Sequence, residues 1–211
     1  VYNGMTCGSP LTVIFRNSDT QSSSYEKFME TPRPGHADLA AMNKYDGFND
    51  PRGSGHFSGR ITLPLVAAGS LAKKIIPGIF IESEILEIGG VREYAEKLKE
   101  AVSEGDSLGG IIEVRVNNIP AGLGEPFFNS FESVLSHLVF SVPAVRGIEF
   151  GAGFSAARMK GSEHNDIILT REGLTKSNNA GGINGGITNG NTVVFRVAVK
   201  PTPSISKQQK T

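Results

Sequence analysis

Glycine is the feature that most constrains this chain, because 26 of its 211 residues are glycine. Soluble proteins usually contain only about 7 % glycine. Glycine destabilises the interior of helices and strands, and it favours tight turns and places where the backbone approaches another group closely. We therefore expect short elements joined by many turns, together with loops whose main chain itself contacts a ligand.

Positive and negative side chains balance, with 21 lysines and arginines against 21 aspartates and glutamates. This balance gives no sign of non-specific attraction to nucleic acid or to a membrane surface. No apolar run approaches the roughly 18 residues of a membrane-spanning helix. Cys7 is the single cysteine, which excludes an internal disulfide and a cysteine-cluster metal site. We expect no metal, nucleic acid or membrane partner, and the cysteine content fits the cytoplasm.

The apolar pattern predicts a mixture of helices and strands. Helical spacing predicts helices over residues 65–76, 91–102 and 128–140, and one or two helical turns over 37–42. Alternation and β-branched residues predict strands over 10–16, 79–88, 111–116, 145–150 and 192–200. The helix over 65–76 is rich in alanine and glycine, so we expect it to be buried in the middle of the fold. Helices and strands do not alternate regularly, which favours an α+β fold over a doubly wound sheet.

His36 lies in a bend that Pro34 and Gly35 stiffen, between the charged residues Arg33 and Asp38. Histidine is the side chain whose ordinary pKa lies closest to neutrality. Presented to a cavity by such a bend, its imidazole can act as a general acid or base. These six residues leave the alternative open, which is a surface histidine satisfied by Asp38.

Three further segments are candidates for contacts with a phosphate or another ligand. RGSGHFSGR at 52–60 places glycines and two arginines directly before a helix, where backbone N–H groups bind phosphate well. SNNAGGINGG at 177–186 would let the main chain pass along a planar ligand, and KPTPS at 200–204 offers a lysine and two hydroxyls. The structural alternatives stay open, namely a mobile polar loop, a flexible loop and a strand-end turn, respectively.

Taken together and in order, these segments resemble the chorismate synthases. The similarity covers nearly the whole chain and includes NGMTCGSP (3–10), RPGHAD (33–38), RGSGHFSGR (52–60), EGDSLGG (104–110), PAGLGEP (120–126), VRGIEFGAGF (145–154), KGSEHND (160–166), NNAGGINGG (178–186) and KPTPSI (200–205). The resemblance implies one domain over residues 1–211, with a helical core sandwiched between antiparallel sheets in a β-α-β arrangement. The family's N-terminal FGESHG and C-terminal RHDP segments do not occur in this sequence, so we expect the domain to be incomplete at both ends.

The resemblance also implies an activity. Chorismate synthases are carbon–oxygen lyases of the shikimate pathway, which supplies aromatic amino-acid biosynthesis. They convert 5-enolpyruvylshikimate 3-phosphate to chorismate and phosphate by a 1,4-anti elimination that needs reduced FMN. Some members reduce the flavin with NADPH, and the enzymes are usually cytoplasmic homotetramers. The alternative is a non-catalytic fragment of that fold, which would bind FMN or phosphate or serve only in assembly.

Matching by motif carries individual residues over from the family. His36 takes the position of a histidine that acts as an acid near the reduced flavin. FMN contacts carry over to His56, Phe57, Ser58, Pro143, Ala144, Gly185, Lys200, Pro201, Thr202, Pro203 and Ser204. Two places depart from the common pattern: His56 and Phe57 stand where many members have Arg-Ser, and Pro143 replaces an asparagine.

Overall fold

The structure is a computed structural model, and it describes residues 1–18 and 21–211. The described residues form two compact units, Val1–Ala72 with Thr211 and Lys73–Lys210. The single domain expected over the whole chain stays a prediction.

The first unit consists of short helices joined by irregular segments. Its helices are α1 (Ser23–Glu26), α2 (Asp38–Lys44) and most of α3 (Thr62–Ile75), with 3-10 turns at Lys27–Met29, Arg52–Phe57 and Gly59–Ile61. The strand predicted over residues 10–16 is wrong, because this segment is exposed and has no regular structure. A strand needs a hydrogen-bonded neighbouring strand. Neither of the two sheets formed by the described residues includes residues 10–16.

Helix α3 confirms the predicted helix but contradicts its predicted burial. Pro64 lies in the first turn of the helix. The N–H groups of that turn have no partner within the helix, so the absence of an N–H on proline costs no hydrogen bond. The apolar side chains are nevertheless exposed, with Val66 at 65 % and Ile75 at 79 %. A Cβ atom built on Gly69 would meet no atom within 4 Å. No described element therefore packs against the small residues from which the burial was inferred.

A four-stranded antiparallel sheet organises the second unit. Its strands are β1 (Phe80–Ile88), β2 (Gly110–Asn117), β3 (Val145–Phe150) and β6 (Val193–Val199), in the spatial order β1-β2-β6-β3. All four confirm predicted strands. A hairpin of β4 (Ile183–Asn184) and β5 (Ile187–Thr188) lies within the glycine-rich segment. Helices combined with antiparallel sheets confirm the α+β class.

Helix α5 (Phe131–Phe140) covers one face of this sheet and completes the core. Val193, Phe195 and Val197 alternate along β6 and are each at most 8 % exposed. Phe131, Leu135 and Val139 recur at a spacing of four, so they lie on one side of the helix and pack against the strand residues. The opposite face of the sheet carries Glu113 and Arg196, which are cross-strand neighbours.

Helices α4 (Ala95–Ser103) and α5 begin later than the apolar spacing predicts. The Gly89–Gly90 turn brings Val91 back to pair with Ile88, so Val91 belongs to a β-bridge and not to α4. Before α5, residues Phe127–Asn129 form a 3-10 turn, and the side chain of Ser130 caps the helix. Local hydrogen bonding therefore decides both helix starts.

Candidate functional site

The RPGHAD segment of the first unit is closed by an ion pair. Arg33 donates from Nε and Nη2 to the two carboxylate oxygens of Asp38, at 2.8 and 2.9 Å. The backbone N–H of Arg33 donates to the same carboxylate at 3.0 Å. The hydrogen bonds from Arg33 hold the pKa of Asp38 below its ordinary value despite partial burial. The predicted bend is therefore a fixed turn.

His36 is half-buried within this turn, and the main chain orients its ring. The Nδ1 atom lies 3.0 Å from the carbonyl oxygen of Pro34. A carbonyl oxygen can only accept, so Nδ1 carries a hydrogen. The proton that this imidazole gains or loses is then the one on Nε2. His36 can hold or deliver a proton at a defined atom.

Arg33 joins this turn to the predicted phosphate-binding loop. Its Nη2 atom donates to the hydroxyl oxygen of Ser54 at 3.2 Å, and its guanidinium lies 4.1 Å from the ring centroid of Phe28. Gly53, Ser54 and Gly55 all have positive φ, which is unusual for serine and folds the loop tightly. The structure thus brings the RPGHAD and RGSGHFSGR motifs together.

A polar cavity of about 370 Å³ adjoins the 52–60 loop within the first unit. Arg60 donates to the hydroxyl of Tyr25 at 3.4 Å. Arg52 pairs with Asp50 at 2.7 Å and lowers the pKa of that carboxyl to about 2, mainly through side-chain hydrogen bonds. Guanidinium, amide and hydroxyl donors are the groups that bind oxyanions. The lining consists of Asn17, Gln21, Ser22, Ser24, Tyr25, Arg52, Gly53 and Arg60.

Sequence reasoning missed the cavity residues between positions 17 and 25. This stretch lacks an apolar period, so the apolar pattern assigns it to no helix or strand. Its run of hydroxyl side chains, Ser22-Ser23-Ser24-Tyr25, was the only signal, and a solvated loop has the same composition. Contact with Arg52 and Arg60, which lie some thirty residues further along the chain, distinguishes the cavity wall from a solvated loop.

The three predicted FMN contacts of the 52–60 loop differ in their surroundings. His56 and Phe57 are exposed, whereas Ser58 is half-buried. The hydroxyl oxygen of Ser58 accepts the backbone N–H of Arg60 at 3.2 Å and so caps the 3-10 turn that leads into α3. Ser58 therefore shapes the loop, and the two rings before it are accessible to a ligand.

In the second unit, the structure brings two other predicted segments together. The backbone N–H of Lys200 donates to the carbonyl oxygen of Ala144 at 2.9 Å, next to the strand pair Val145–Val199. The hydroxyl of Ser107 donates to the carbonyl of Thr202 at 2.7 Å. Residues 200–204 thus follow the end of β6 directly, and hydrogen bonds hold this segment from two sides. Pro201, Thr202 and Ser204 are exposed, while Pro143 and Pro203 are half-buried.

The glycine-rich segment is a fixed structure and not a flexible loop. Asp166 accepts hydrogen bonds from the hydroxyl of Ser177 at 2.7 Å and from the N–H groups of Asn179 and Ala180 at 2.8 and 2.9 Å. Burial raises the pKa of Asp166, but these hydrogen bonds outweigh burial and lower it. Gly181 is buried, and a Cβ atom on it would lie 2.4 Å from the backbone nitrogen of Gly151.

Gly185 lies in the turn of this segment, at the opposite end of α5 from the Ala144–Lys200 contact. The carbonyl oxygen of Gly186 accepts the N–H of Phe131 at the start of α5, whereas Ala144 follows the end of the helix. A ten-residue helix separates the two places by about 15 Å, given its rise of ~1.5 Å per residue. A ligand that touches both must be extended.

Comparison with known proteins decides to which family the chain is related. The family model for chorismate synthase matches residues 1–211. A chorismate synthase of Chitinophaga pinensis is 58 % identical over 212 residues, which cover 100 % of this chain and 64 % of that protein. The chain belongs to the chorismate synthase family.

Other family members agree with this assignment. A chorismate synthase of Korarchaeum cryptofilum is 46 % identical over 242 residues, covering 100 % of this chain and 67 % of its own length. A crystal structure of chorismate synthase has a TM-score of 0.70 and 32 % identity, and the match covers 79 % of this chain and 63 % of that one. The chain thus spans about two-thirds of the length of the chorismate synthases it matches. In the described part of the chain, no helix is long and apolar enough to cross a membrane.

The family implies FMN, and the donors at both ends of α5 fit it chemically. The ammonium group of Lys200 and the hydroxyls of Thr202 and Ser204 suit a phosphate or a ribityl chain. Gly185 is exposed, and no atom lies within 4 Å of the place a Cβ would take, so a flat ring can approach its backbone. Among residues 1–18 and 21–211, no cluster of three His, Cys, Asp or Glu side chains could hold a metal ion.

Proposed function

We propose that this member of the chorismate synthase family converts 5-enolpyruvylshikimate 3-phosphate to chorismate and phosphate. The reaction is a 1,4-anti elimination that requires reduced FMN as cofactor. The family match over residues 1–211 carries the proposal. The geometry of the first unit supports it, because the Arg33–Ser54 hydrogen bond joins the histidine turn to the glycine-rich loop beside a polar cavity.

The polar cavity is the proposed site for an anionic group of the substrate, which carries one phosphate and two carboxylates. Arg60 forms no ion pair with a carboxylate of the described residues, and its guanidinium donates to the neutral hydroxyl of Tyr25. Arginine binds oxyanions through two parallel hydrogen bonds. Serine and tyrosine hydroxyls complete the donor set without adding negative charge.

His36 is the proposed proton-holding group of the reaction. When bound, reduced FMN supplies the electron density that assists loss of the allylic phosphate, without net redox change. Because the Pro34 carbonyl engages Nδ1, Nε2 is the atom of His36 at which we propose that a proton is held or released. In this role the proton of His36 keeps the bound reduced flavin in the protonation state that the elimination needs.

Each unit contributes proposed FMN contacts, the second at the two ends of α5 and the first on the 52–60 loop. Lys200, Thr202 and Ser204 bind the phosphate or ribityl part, and the backbone at Gly185 contacts the ring. Pro143 has no N–H, so it contributes its ring and its carbonyl oxygen only. His56 and Phe57 offer an imidazole and an apolar ring where many family members have Arg-Ser.

We further propose a cytoplasmic homotetramer whose flavin is reduced by an outside donor or by NADPH. The exposed apolar side chains of α3, such as Val66 and Ile75, support association. Oxidation of NADPH in the presence of FMN without oxygen, followed at 340 nm, tests the second reductant.

The function is tested by an anaerobic assay with the substrate and chemically reduced FMN. Appearance of chorismate, together with an equal amount of phosphate, is the expected result. Oxidised FMN in place of reduced FMN is the matched control and should give no product. Bound reduced FMN without any chorismate would contradict the proposed reaction and favour a non-catalytic FMN-binding protein.

A further inference from the structure

Thr188 joins the glycine hairpin to the loop that precedes α5. It lies in β5, directly after the turn at Gly185 and Gly186, and it is 1 % exposed. Its hydroxyl donates to the carbonyl of Pro120 at 2.6 Å and accepts the N–H of Leu123 at 2.9 Å. A single buried hydroxyl thus satisfies two backbone groups of another segment.

The backbone of Thr188 adds two more hydrogen bonds to the same loop. Its N–H donates to the carbonyl of Leu123 at 2.9 Å, and its carbonyl accepts the N–H of Gly122 at 2.7 Å. Four hydrogen bonds therefore connect one residue to the PAGLGEP segment. This segment and the hairpin are far apart in the chain, and Thr188 is the principal link between them.

The glycine turn itself is supported on one side only. A Cβ atom on Gly124 would lie 2.4 Å from the carbonyl oxygen of Gly186, and the N–H of Phe131 donates to the same oxygen at 2.8 Å. Gly185 projects beyond this support and is exposed. Two consecutive glycines have wide conformational freedom and no side chains that could anchor them. The position of the turn therefore depends on what holds its flanks.

We propose that Thr188 is a positioning residue, whose hydroxyl fixes the Gly185–Gly186 turn in the place where it contacts FMN. This inference rests on the proposed function. Because both side-chain hydrogen bonds end on backbone groups of residues 120 and 123, removing the hydroxyl leaves a buried donor and acceptor without that partner. The loop and the turn can then shift relative to each other.

The test compares Thr188→Val with Thr188→Ser in the full chain. Valine keeps the volume and the branched shape but lacks the hydroxyl, whereas serine keeps the hydroxyl and lacks the methyl group. We expect Thr188→Val to raise the Kd for FMN by about tenfold or more, and Thr188→Ser to stay within about threefold of wild type. Quenching of flavin fluorescence measures the Kd, and the absorbance spectrum of bound flavin reports the ring environment.

Thr192→Val is the matched control. The hydroxyl of Thr192 donates to the side chain of Asn117 at 2.8 Å, so this substitution removes a hydrogen bond in the same unit without touching residues 120–123. Both valine variants should lower Tm, but only Thr188→Val should weaken FMN binding. Rescue by serine at position 188 separates positioning by the hydroxyl from packing of the methyl group.

Two results would overturn the positioning role. One is FMN binding by Thr188→Val that equals that of Thr192→Val, and the other is binding by Thr188→Ser that is as weak as that of Thr188→Val. If the wild-type chain bound no FMN, the proposed function would fail instead. In that case, amide hydrogen exchange at Gly185 and Gly186 still tests whether the Thr188 hydroxyl positions the turn. Thr188→Val should accelerate this exchange, and an unchanged rate would refute the positioning role.

Discussion

At the scale of single residues, the proposed role of His36 depends on how its ring is held. The Pro34 carbonyl engages Nδ1, which orients the ring and makes Nε2 the proposed atom of proton transfer. We expect His36→Ala to lower turnover by roughly 10²- to 10⁴-fold, the usual contribution of a general acid or base. The Kd for FMN should change by less than about threefold, because no flavin-phosphate donor is lost.

Anaerobic turnover and a flavin titration on the same preparation measure both quantities for His36→Ala. His137→Ala is a suitable control, since His137 lies exposed on α5. An equal loss of turnover and of FMN affinity in His36→Ala would show that the imidazole serves binding and not proton transfer.

Asp166 gives the stability of the second unit a defined pH dependence. Three hydrogen bonds place its folded pKa below the unfolded value of 3.8, so its stabilisation is present above that value and is lost as pH falls through the folded pKa. We expect Asp166→Asn to lower the free energy of unfolding by ~1–2 kcal/mol at pH 7. The difference from wild type should shrink below about pH 4.

Urea unfolding at several pH values measures the contribution of Asp166. Ser177→Ala removes one of the three donors and leaves the carboxylate in place, so it should cost less than Asp166→Asn at pH 7. A difference between wild type and Asp166→Asn that stays constant from pH 7 to pH 3 would contradict the proposed origin of the stabilisation.

At the scale of elements, α3 offers the sharpest test because its glycine is exposed. Nothing lies within 4 Å of the Cβ position at Gly69, so Gly69→Ala should raise the free energy of unfolding by ~0.5–1 kcal/mol through helix propensity. Gly151→Ala is the contrasting variant, since its Cβ would lie 2.1 Å from the carbonyl oxygen of Asn179, and it should be strongly destabilising. A loss of stability in Gly69→Ala would reveal a close neighbour at this face of α3.

Elements whose hydrogen bonds are local or whose apolar pattern is complete could be predicted from the sequence. The strand over 145–150 has the predicted bounds, and β6 differs from its prediction by one residue at each end. The strand predicted over 10–16 failed, because alternation shows which residues suit a sheet but not whether a neighbour exists. The order of the glycine-rich segment could not be predicted for a similar reason. The hydrogen bonds that hold it involve Asp166 and Thr188, and the local glycine pattern does not indicate them.

The candidate site could be predicted only in part for the same physical reason. Motif spacing identified His36 and the 52–60 loop, and the structure joins their segments through Arg33 and Ser54. No local pattern indicates that Asn17, Gln21, Ser22, Ser24 and Tyr25 line a cavity with Arg60. Nor does the sequence reveal that Asp166 and Thr188 hold backbone groups of distant segments, because those partners are main-chain atoms that every residue carries.

At the scale of the whole molecule, the amount of exposed apolar surface is the dominant feature. Phe128 is 91 % exposed, Ile75 79 % and Ile168 71 %, and fully burying such a side chain is worth ~1.5–3 kcal/mol. We expect the chain to associate, with a mass near four times its 22.4 kDa. Because the formal net charge is zero, moderate salt should not dissociate the assembly.

Light scattering coupled to gel filtration measures this association across protein concentration and salt. A 22.4-kDa particle at tens of micromolar protein would contradict the homotetramer. Dissociation by salt would instead indicate that charged groups dominate the interface.

The contact between Gly151 and Gly181 has a consequence for how this protein can be recombined with its relatives. The two residues share one narrow space from opposite sides, and a methyl group on either would collide with the backbone of the other. A hybrid gene whose crossover falls between them therefore needs glycine at position 151 in one parent and at position 181 in the other. Where either parent lacks its glycine, the two segments can be exchanged only together.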